Sequence, residues 1–326
     1  MMKLSRLACA SVIMPLTCLA APAAVAQKWD MPMAYPASNF HSVNAKAFGD
    51  CVRTGSNGEI DIVTHPGGSL FKGNDIKRAV QSGQTQIGER LLSAHENENP
   101  LFGLDSIPFI ATSYDQSDKL WQAGKGEIAK ALDAQGLLML YSVPWPPQGV
   151  YFKKEVNSTA DMKGVKVRSY NNSTGRIAEL SGMVPVQIEA AEITQALITG
   201  VIESLITSAV TGQDSKAWEQ LSHFYKVNAW QPRNFVIVNK GAWSALDDKT
   251  REVMTSCAAT AEVNGVKMSK QANEDALAAL EKNGMKVLDP AEKLAAELRG
   301  YGETMAEDWK KRAGDAGQAV LDAYAK

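Results

Sequence analysis

Residues 164–182 read GVKVRSYNNSTGRIAELSG. Val165 and Val167 alternate with Lys166 and Arg168, the two-residue period of a strand, and a helical stretch follows. Just upstream, STADMKG (158–164) reads as one capped turn, with Ser158 as N-cap and Gly164 as the stop. Downstream, VPVQI (184–188) is a further strand. AAEITQALITG (190–200) then sets Ile193, Ala196 and Leu197 on one helical face and ends at Gly200, a natural left-handed cap. Arg168 thus closes one strand of a βα series, at the strand end where ligands of open α/β sheets gather.

The series extends in both directions. EIDIVTH (59–65), TQIGER (85–90), LLMLYSV (137–143), VYFKKEV (150–156) and NFVIVNK (234–240) read as strands. NAKAFGDCVRTG (44–55) carries Ala45, Phe48, Cys51 and Val52 at helical spacing. Beyond Trp243, Ala, Glu and Lys dominate, with breaks near Gly284 and Gly314. DPAEKLAAELRG (289–300) predicts a helix with Asp289 as N-cap and Pro290 at its first position. Alternating βα units followed by a helical last third predict an α/β protein with parallel-rich sheets.

The chain has 326 residues, 45% of them hydrophobic, enough for a large core divided between two lobes. Its first 26 residues read as an export leader. Lys3 and Arg6 form a basic start, an apolar stretch runs from Leu7, and Ala24-Val25-Ala26 offers small residues for cleavage after Ala26. Pro15, Thr17 and Pro22 interrupt that stretch, which is short for a membrane anchor. Thr17 before Cys18 departs from a lipoprotein signal. The net charge is −2, and removing Lys3 and Arg6 makes it more negative, which argues against a nucleic-acid surface.

Marks of chemistry are few. The histidines His41, His65, His95 and His223 show no zinc-ligand spacing. There is no G-x-S-x-G elbow, Cys-x-x-Cys pair, phosphate loop or calcium loop. The sequence therefore favours binding over catalysis, with no metal or cofactor expected. Cys51 and Cys257 are the two cysteines beyond the leader. In an oxidising compartment they form a disulfide, or they stay as two packed thiols.

The central region, NSTADMKGVKVRSYNNST followed by GMVPVQIEAAEITQALITGVIES, closely resembles the signature of the solute-binding proteins of TRAP (tripartite ATP-independent periplasmic) transporters. The matching positions are Asp161, Lys163, Gly164, Lys166, Arg168, Pro185, Glu192, Ala196, Leu197, Gly200 and Glu203. The flanks resemble the family too, so the likeness spans nearly the whole chain beyond the leader. It implies two α/β lobes joined by strands and one long helix, closing on a ligand between them. The lobes are expected over 27–144 plus about 232–273, and over 145–231 plus about 274–326. It also implies that Arg168 receives a substrate carboxylate, a role suited to a permanently charged fork of paired N–H donors.

Departures from the pattern inform the ligand. Gln148 stands where the family often has a second arginine, and it does not neutralise a second carboxylate. Thr207 and Ser208 replace an amide or carboxylate near the ligand-facing position, which weakens a metal-bridged mode. Tyr35, Phe40, Trp145 and Tyr170 suggest an apolar wall. Glu89 and Arg90, ending a strand of the opposite lobe, bond polar ligand groups or pair with each other. His41, with Asn39, sits where some relatives contact ligand, or it caps the following helix. Asn171 orients Arg168 or touches the ligand. The implied protein is a monomeric periplasmic receptor that delivers an organic acid to membrane permease subunits. A monocarboxylate such as a 2-oxo, 2-hydroxy or aromatic acid fits best. The alternatives are a ligand sensor for a membrane receptor and a periplasmic enzyme.

Overall fold

The computed structural model describes residues 26–326, so the expected leader lies outside the described residues except for Ala26. The first lobe begins with β1 (Gln27–Pro32), α1 (Phe40–Gly55), β2 (Ile60–His65), α2 (Ile76–Gln81), β3 (Ile87–Leu91), α3 (Tyr114–Asp133) and β4 (Leu137–Pro144). The chain then crosses to a second lobe. This holds β5 (Gln148–Phe152), β6 (Lys166–Ser169), α4 (Asn172–Leu180), β7 (Val184–Gln187), α5 (Ile193–Ile198), β8 (Ser204–Ser208), α6 (Ala209–Asp214) and β9 (His223–Tyr225). It crosses back into β10 (Arg233–Asn239), α7 (Lys240–Ser244) and α8 (Asp248–Lys282), and ends with β11 (Lys286–Leu288) and α9 (Glu292–Ala325).

The sheets are mixed. β1 pairs with β2, β6 with β7 and β8, and β9 with β11, all in parallel. Every antiparallel pair involves β5 or β10: β3–β10–β4 in the first lobe, β8–β5–β9 in the second. These are the two strands entered directly after each crossing. A strand entering from the opposite lobe runs against the strands that βα units have aligned. The two crossings also pair with each other. Trp145 N donates to Pro232 O at 2.7 Å, Gln148 N to Trp230 O at 2.9 Å, and Ala229 N to Gln148 O at 3.0 Å.

Two long helices tie the lobes together. α8 has 35 residues, about 50 Å of helix. It packs on α1 and β4 in the first lobe, and on α6 and β11 in the second. Gly265 permits the close approach to β4, because a β-carbon there would collide with Val143. α9 starts on the second lobe, with Leu294, Leu298 and Met305 in that lobe's core. Its far part, carrying Trp309 and Val320, joins the core of Leu120 and Trp121 on α3. The chain beyond Trp309 therefore packs on the first lobe, whereas the lobe division expected from sequence placed all of 274–326 with the second. Within α9, Gly314 takes a non-helical φ of 56°.

Two local expectations differ from the structure. α9 begins at Glu292 behind Ala291, not at Pro290 behind Asp289. The cause is β11: Lys226 N donates to Leu288 O at 2.8 Å, which keeps the chain extended past Leu288, and Asp289 turns out to pair with Lys226 at 3.2 Å. His41 does not cap α1. Asn39 does, its Oδ1 accepting from His41 N at 2.9 Å. The turn at 158–164 is as read: Ser158 heads a capping box with Asp161, and Gly164 has a φ of 78°.

Candidate functional site: a buried arginine at the crossing strands

A small cavity of ≈ 30 Å³ lies where the two crossings meet. Arg168 lines it. Alternation in β6 turns Val167 into the second lobe's core, while Arg168 lies at the strand's C-terminal end beside the crossing. Only 6% of Arg168 is exposed. Its Nε donates to Ile188 O at 3.0 Å, and its guanidinium carbon lies 4.7 Å from the Tyr170 ring centroid. Among the described residues no carboxylate stands within ion-pair distance of it, and its two Nη groups have no acceptor. Burial pulls its pKa below the ordinary arginine value by disfavouring the charged form. A guanidinium stays protonated even so, and a buried, unpaired cation costs several kcal/mol. The geometry asks for an anion.

Tyr170 and Gln148 stand beside it. Tyr170 Oη donates to Gln148 Oε1 at 2.9 Å and accepts from Trp230 Nε1 at 3.2 Å. Gln148 Nε2 donates to Pro146 O at 2.8 Å, leaving one amide hydrogen for a ligand. Thr207, on β8 opposite Gly149, lines the cavity with its hydroxyl unengaged among the described residues. Tyr35, Leu91, Trp145 and Pro232 supply apolar wall. Burial pushes the Tyr35 phenol up to about 12, so it remains a neutral hydrogen-bonding group. Phe40 does not line the cavity; it backs Trp145 edge-on with ring centroids 5.3 Å apart.

Other expected residues are drawn elsewhere. Ser208 caps α6, accepting from Thr211 N at 3.2 Å. Asn171 caps α4 and reaches the first lobe, donating from Nδ2 to Ser93 Oγ at 3.0 Å, and makes no hydrogen bond to Arg168. Glu89 and Arg90 do not pair with each other, because neighbours on a strand face opposite ways, and neither lines the cavity. Glu89 stands 3.2 Å from His41 Nδ1. Arg90 donates to Asn74 Oδ1 and to His95 Nε2, the latter at 3.3 Å, and stands 3.9 Å from Glu189 Oε2 across the cleft. Burial, and then the charge of Arg90, lower the His95 pKa to about 4, leaving the neutral ring that accepts this bond. Gly73 makes room for the crossing pair, since a β-carbon there would strike Glu189 and Arg90. A disulfide joins Cys51 on α1 to Cys257 on α8, with α-carbons 5.9 Å apart.

Sequence reading missed Leu91, Ala190, Thr211 and Pro232 in the cavity lining, and Trp230 and Asn234 behind it. The signal available for three of them was NAWQPRN (228–234), a Trp, Pro and Asn directly before the returning strand. Among the described residues no group of three or more His, Cys, Asp or Glu is placed to hold a metal ion, and no helix is long and apolar enough to cross a membrane.

Two lobes, paired crossings and a buried arginine lining a cavity between them are the features of the class of two-lobed solute-binding receptors. The profile described as DctP, bacterial extracellular solute-binding protein, family 7, matches residues 33–313, and the chain belongs to this TRAP solute-binding family. Among solved structures it is similar to a marine-metagenome TRAP solute-binding protein, from an unidentified microbe, described as specific for pyroglutamate. Identity is 51% over 92% of this chain and 99% of that one, with a TM-score of 0.91. It is also similar to DctP6 of Bordetella pertussis, an extracytoplasmic receptor binding pyroglutamic acid, at 46% identity over 92% and 99% of the two chains and a TM-score of 0.90. Among characterised proteins, a monocarboxylate 2-oxoacid-binding periplasmic protein of Nostoc sp. is 24% identical over 80% of this chain and 73% of that protein. These family members and structural neighbours are receptors of a periplasmic class rather than enzymes.

Proposed function

We propose that the chain is the extracytoplasmic receptor of a TRAP transporter, enclosing a small monocarboxylate between its lobes and presenting it to membrane permease subunits. The observation that carries this is Arg168: a buried guanidinium, free of any carboxylate among the described residues, lining the cavity where the two crossings meet. The ligand carboxylate takes the fork of Arg168 and the spare amide hydrogen of Gln148. Thr207 and Tyr35 offer hydroxyls, and Trp145, Leu91 and Pro232 cover the ligand's apolar flank. A five-membered lactam acid, pyroglutamate, carries the single charge this arrangement accepts, and the relatives at 51% and 46% identity are described as binding it. In this reading residues 1–26 are the cleaved leader.

A thermal-shift panel of pyroglutamate, pyruvate, lactate, orotate and succinate, followed by calorimetry, tests the reading. Pyroglutamate is expected to raise the melting temperature most, because a ligand bound only by the folded state stabilises it by mass action. Succinate as the tightest ligand, or no response to any carboxylate, overturns it.

A further inference from the structure

Three side-chain hydrogen bonds among the described residues run directly between the βα units of the two lobes, and an asparagine amide donates each of them. Asn39 Nδ2 donates to Asp214 Oδ2 at 2.8 Å, Asn171 Nδ2 to Ser93 Oγ at 3.0 Å, and Asn172 Nδ2 to Asn97 Oδ1 at 2.8 Å. The first donor belongs to the first lobe, the other two to the second. The ion pairs across the cleft are looser: Arg90 to Glu189 and Lys72 to Glu192 each stand at 3.9 Å, and Lys72 and Glu192 are exposed.

Asn39 and Asn171 have a second task. Each is the N-cap of its helix, with Oδ1 accepting from His41 N on α1 and from Thr174 N on α4, both at 2.9 Å. An N-cap needs only an acceptor, and serine or aspartate serves as well. Where the cap bonds only within its own helix, those residues are used: Ser113 on α3, Ser208 on α6 and Asp247 on α8. Asparagine caps α1, α4 and α7, and in all three the spare amide reaches another element. On α7 it stays within the lobe, Asn239 Nδ2 donating to Val80 O at 3.0 Å. On α1 and α4 it spans the cleft. Asn39, Asn171 and Ser93 are all buried.

The acceptor on α6 is ill placed for its own helix. Asp214 is the last residue of α6, where the free carbonyls disfavour a carboxylate, and its side chain bonds to Asn39 alone among the described residues. Neither asparagine lines the ligand cavity. Asn171 directly follows Tyr170, a residue of the cavity wall, and lies three positions beyond Arg168, so its bond joins the lobes beside the carboxylate anchor. A ligand held between lobes leaves when they part, so bonds across the cleft slow its departure without touching it.

We propose that Asn39 and Asn171 are closure clasps: their carbonyl oxygens cap α1 and α4 whether the lobes are open or closed, and their amides bond across the cleft only in the closed receptor, setting how long the ligand stays. The proposal rests on the receptor reading above. Both act as positioning residues. Parting the lobes hands two neutral amides to water and leaves both helices capped.

Asn39→Asp separates the two tasks, because aspartate keeps the cap and sets a second carboxylate against Asp214. Dissociation of L-pyroglutamate is expected to speed up about tenfold or more, and association to change by less than about threefold, since losing a charge-assisted bond acts mainly on dissociation. The melting temperature without ligand should change little, as aspartate and asparagine cap equally well. Combining Asn39→Asp with Asp214→Asn exchanges amide and carboxylate, and should return dissociation to within about threefold of the wild type. Ser93→Ala removes the acceptor of the second clasp and is expected to speed dissociation about threefold to tenfold, the effect of one neutral hydrogen bond. If Asn39→Asp does not fold, Asp214→Ala removes the same bond from an exposed position. Stopped-flow tryptophan fluorescence gives the rates and calorimetry the affinities. An unchanged dissociation rate in the single variants, a double variant that releases ligand as fast as Asn39→Asp, or a loss confined to association overturns the clasps and leaves the receptor reading standing. A wild type that binds neither pyroglutamate nor any other monocarboxylate overturns both.

Discussion

Tyr170 Oη donates to Gln148 Oε1 at 2.9 Å while the Tyr170 ring lies 4.7 Å from the guanidinium carbon of Arg168. The residue standing where the family often has a second arginine therefore spends its carbonyl oxygen inside the protein, holding the ring on which Arg168 rests. The site keeps one formal positive charge. The aromatic face also offsets part of the cost of burying that charge.

Arg168→Ala is expected to remove detectable binding and leave a folded protein. Truncating the buried charged partner of a hydrogen-bonded pair costs about 2–5 kcal/mol, enough to lose most of a micromolar affinity. Arg168→Lys is expected to bind poorly too, since an ammonium does not reproduce the two parallel N–H donors. The melting temperature without ligand should fall little in either variant, because the native cation has no carboxylate to lose. Calorimetry with near-wild-type affinity for Arg168→Ala would end the carboxylate-clamp argument.

Monocarboxylates are expected to bind more tightly than C4 dicarboxylates. Arg90, a buried cation of the first lobe, is committed to Asn74, His95 and Glu189. A second carboxylate entering the cavity loses its hydration with no cation to meet it. Glu189→Gln should narrow the gap by partly releasing Arg90. Competition titrations of succinate and malate against pyroglutamate decide the point, and dicarboxylates binding more tightly to the wild type would show that Arg90 reaches the ligand.

Cys51 and Cys257 are separated by 206 positions in sequence. Closing so long a loop stabilises by up to about 5 kcal/mol in the chain-entropy model. The Cys51→Ser, Cys257→Ser double variant is therefore expected to melt several degrees lower with ligand affinity little changed, since the bond lies between α1 and α8 away from the cavity. Native mass spectrometry should find no alkylatable thiol before reduction in the protein without its leader. Two free thiols would refute the bond.

Stability should fall between about pH 4 and pH 7 through Asp105. Burial raises its pKa from 3.8 to about 7, against bonds from Arg233 N and Ser106 Oγ that favour the charged form. A folded-state pKa above the unfolded one means the folded protein holds the proton more tightly. The contribution is complete below about pH 4 and is lost as pH rises through about 7. At 1.36 kcal/mol per pH unit, the span corresponds to at most about 4 kcal/mol. Asp105→Asn keeps an acceptor for Arg233 N and removes the titration. Thermal unfolding should then vary less with pH over this window in the variant than in the wild type, and parallel curves would exclude Asp105 as the source.

Sequence alone determined the βα order, the two-lobe family architecture and the position of Arg168, because these follow from local periodicity and a contiguous signature. The capped turn at Ser158, the left-handed Gly164 and the strand before Asn171 are short-range matters, settled by backbone preferences within a few residues. The start of α9 was not legible, because a bond from Lys226 to Leu288 holds Asp289 and Pro290 out of the helix. Nor were the partners of the polar site residues. Which face Glu89 and Arg90 each present depends on strand register. Whether Gln148 is free depends on a tyrosine 22 positions away, and the lining of Pro232 and Thr211 depends on two crossings meeting. Only the tertiary structure decided these points, because a hydrogen bond or ion pair forms where folding brings two groups within about 3–4 Å, and no period in the sequence records that distance.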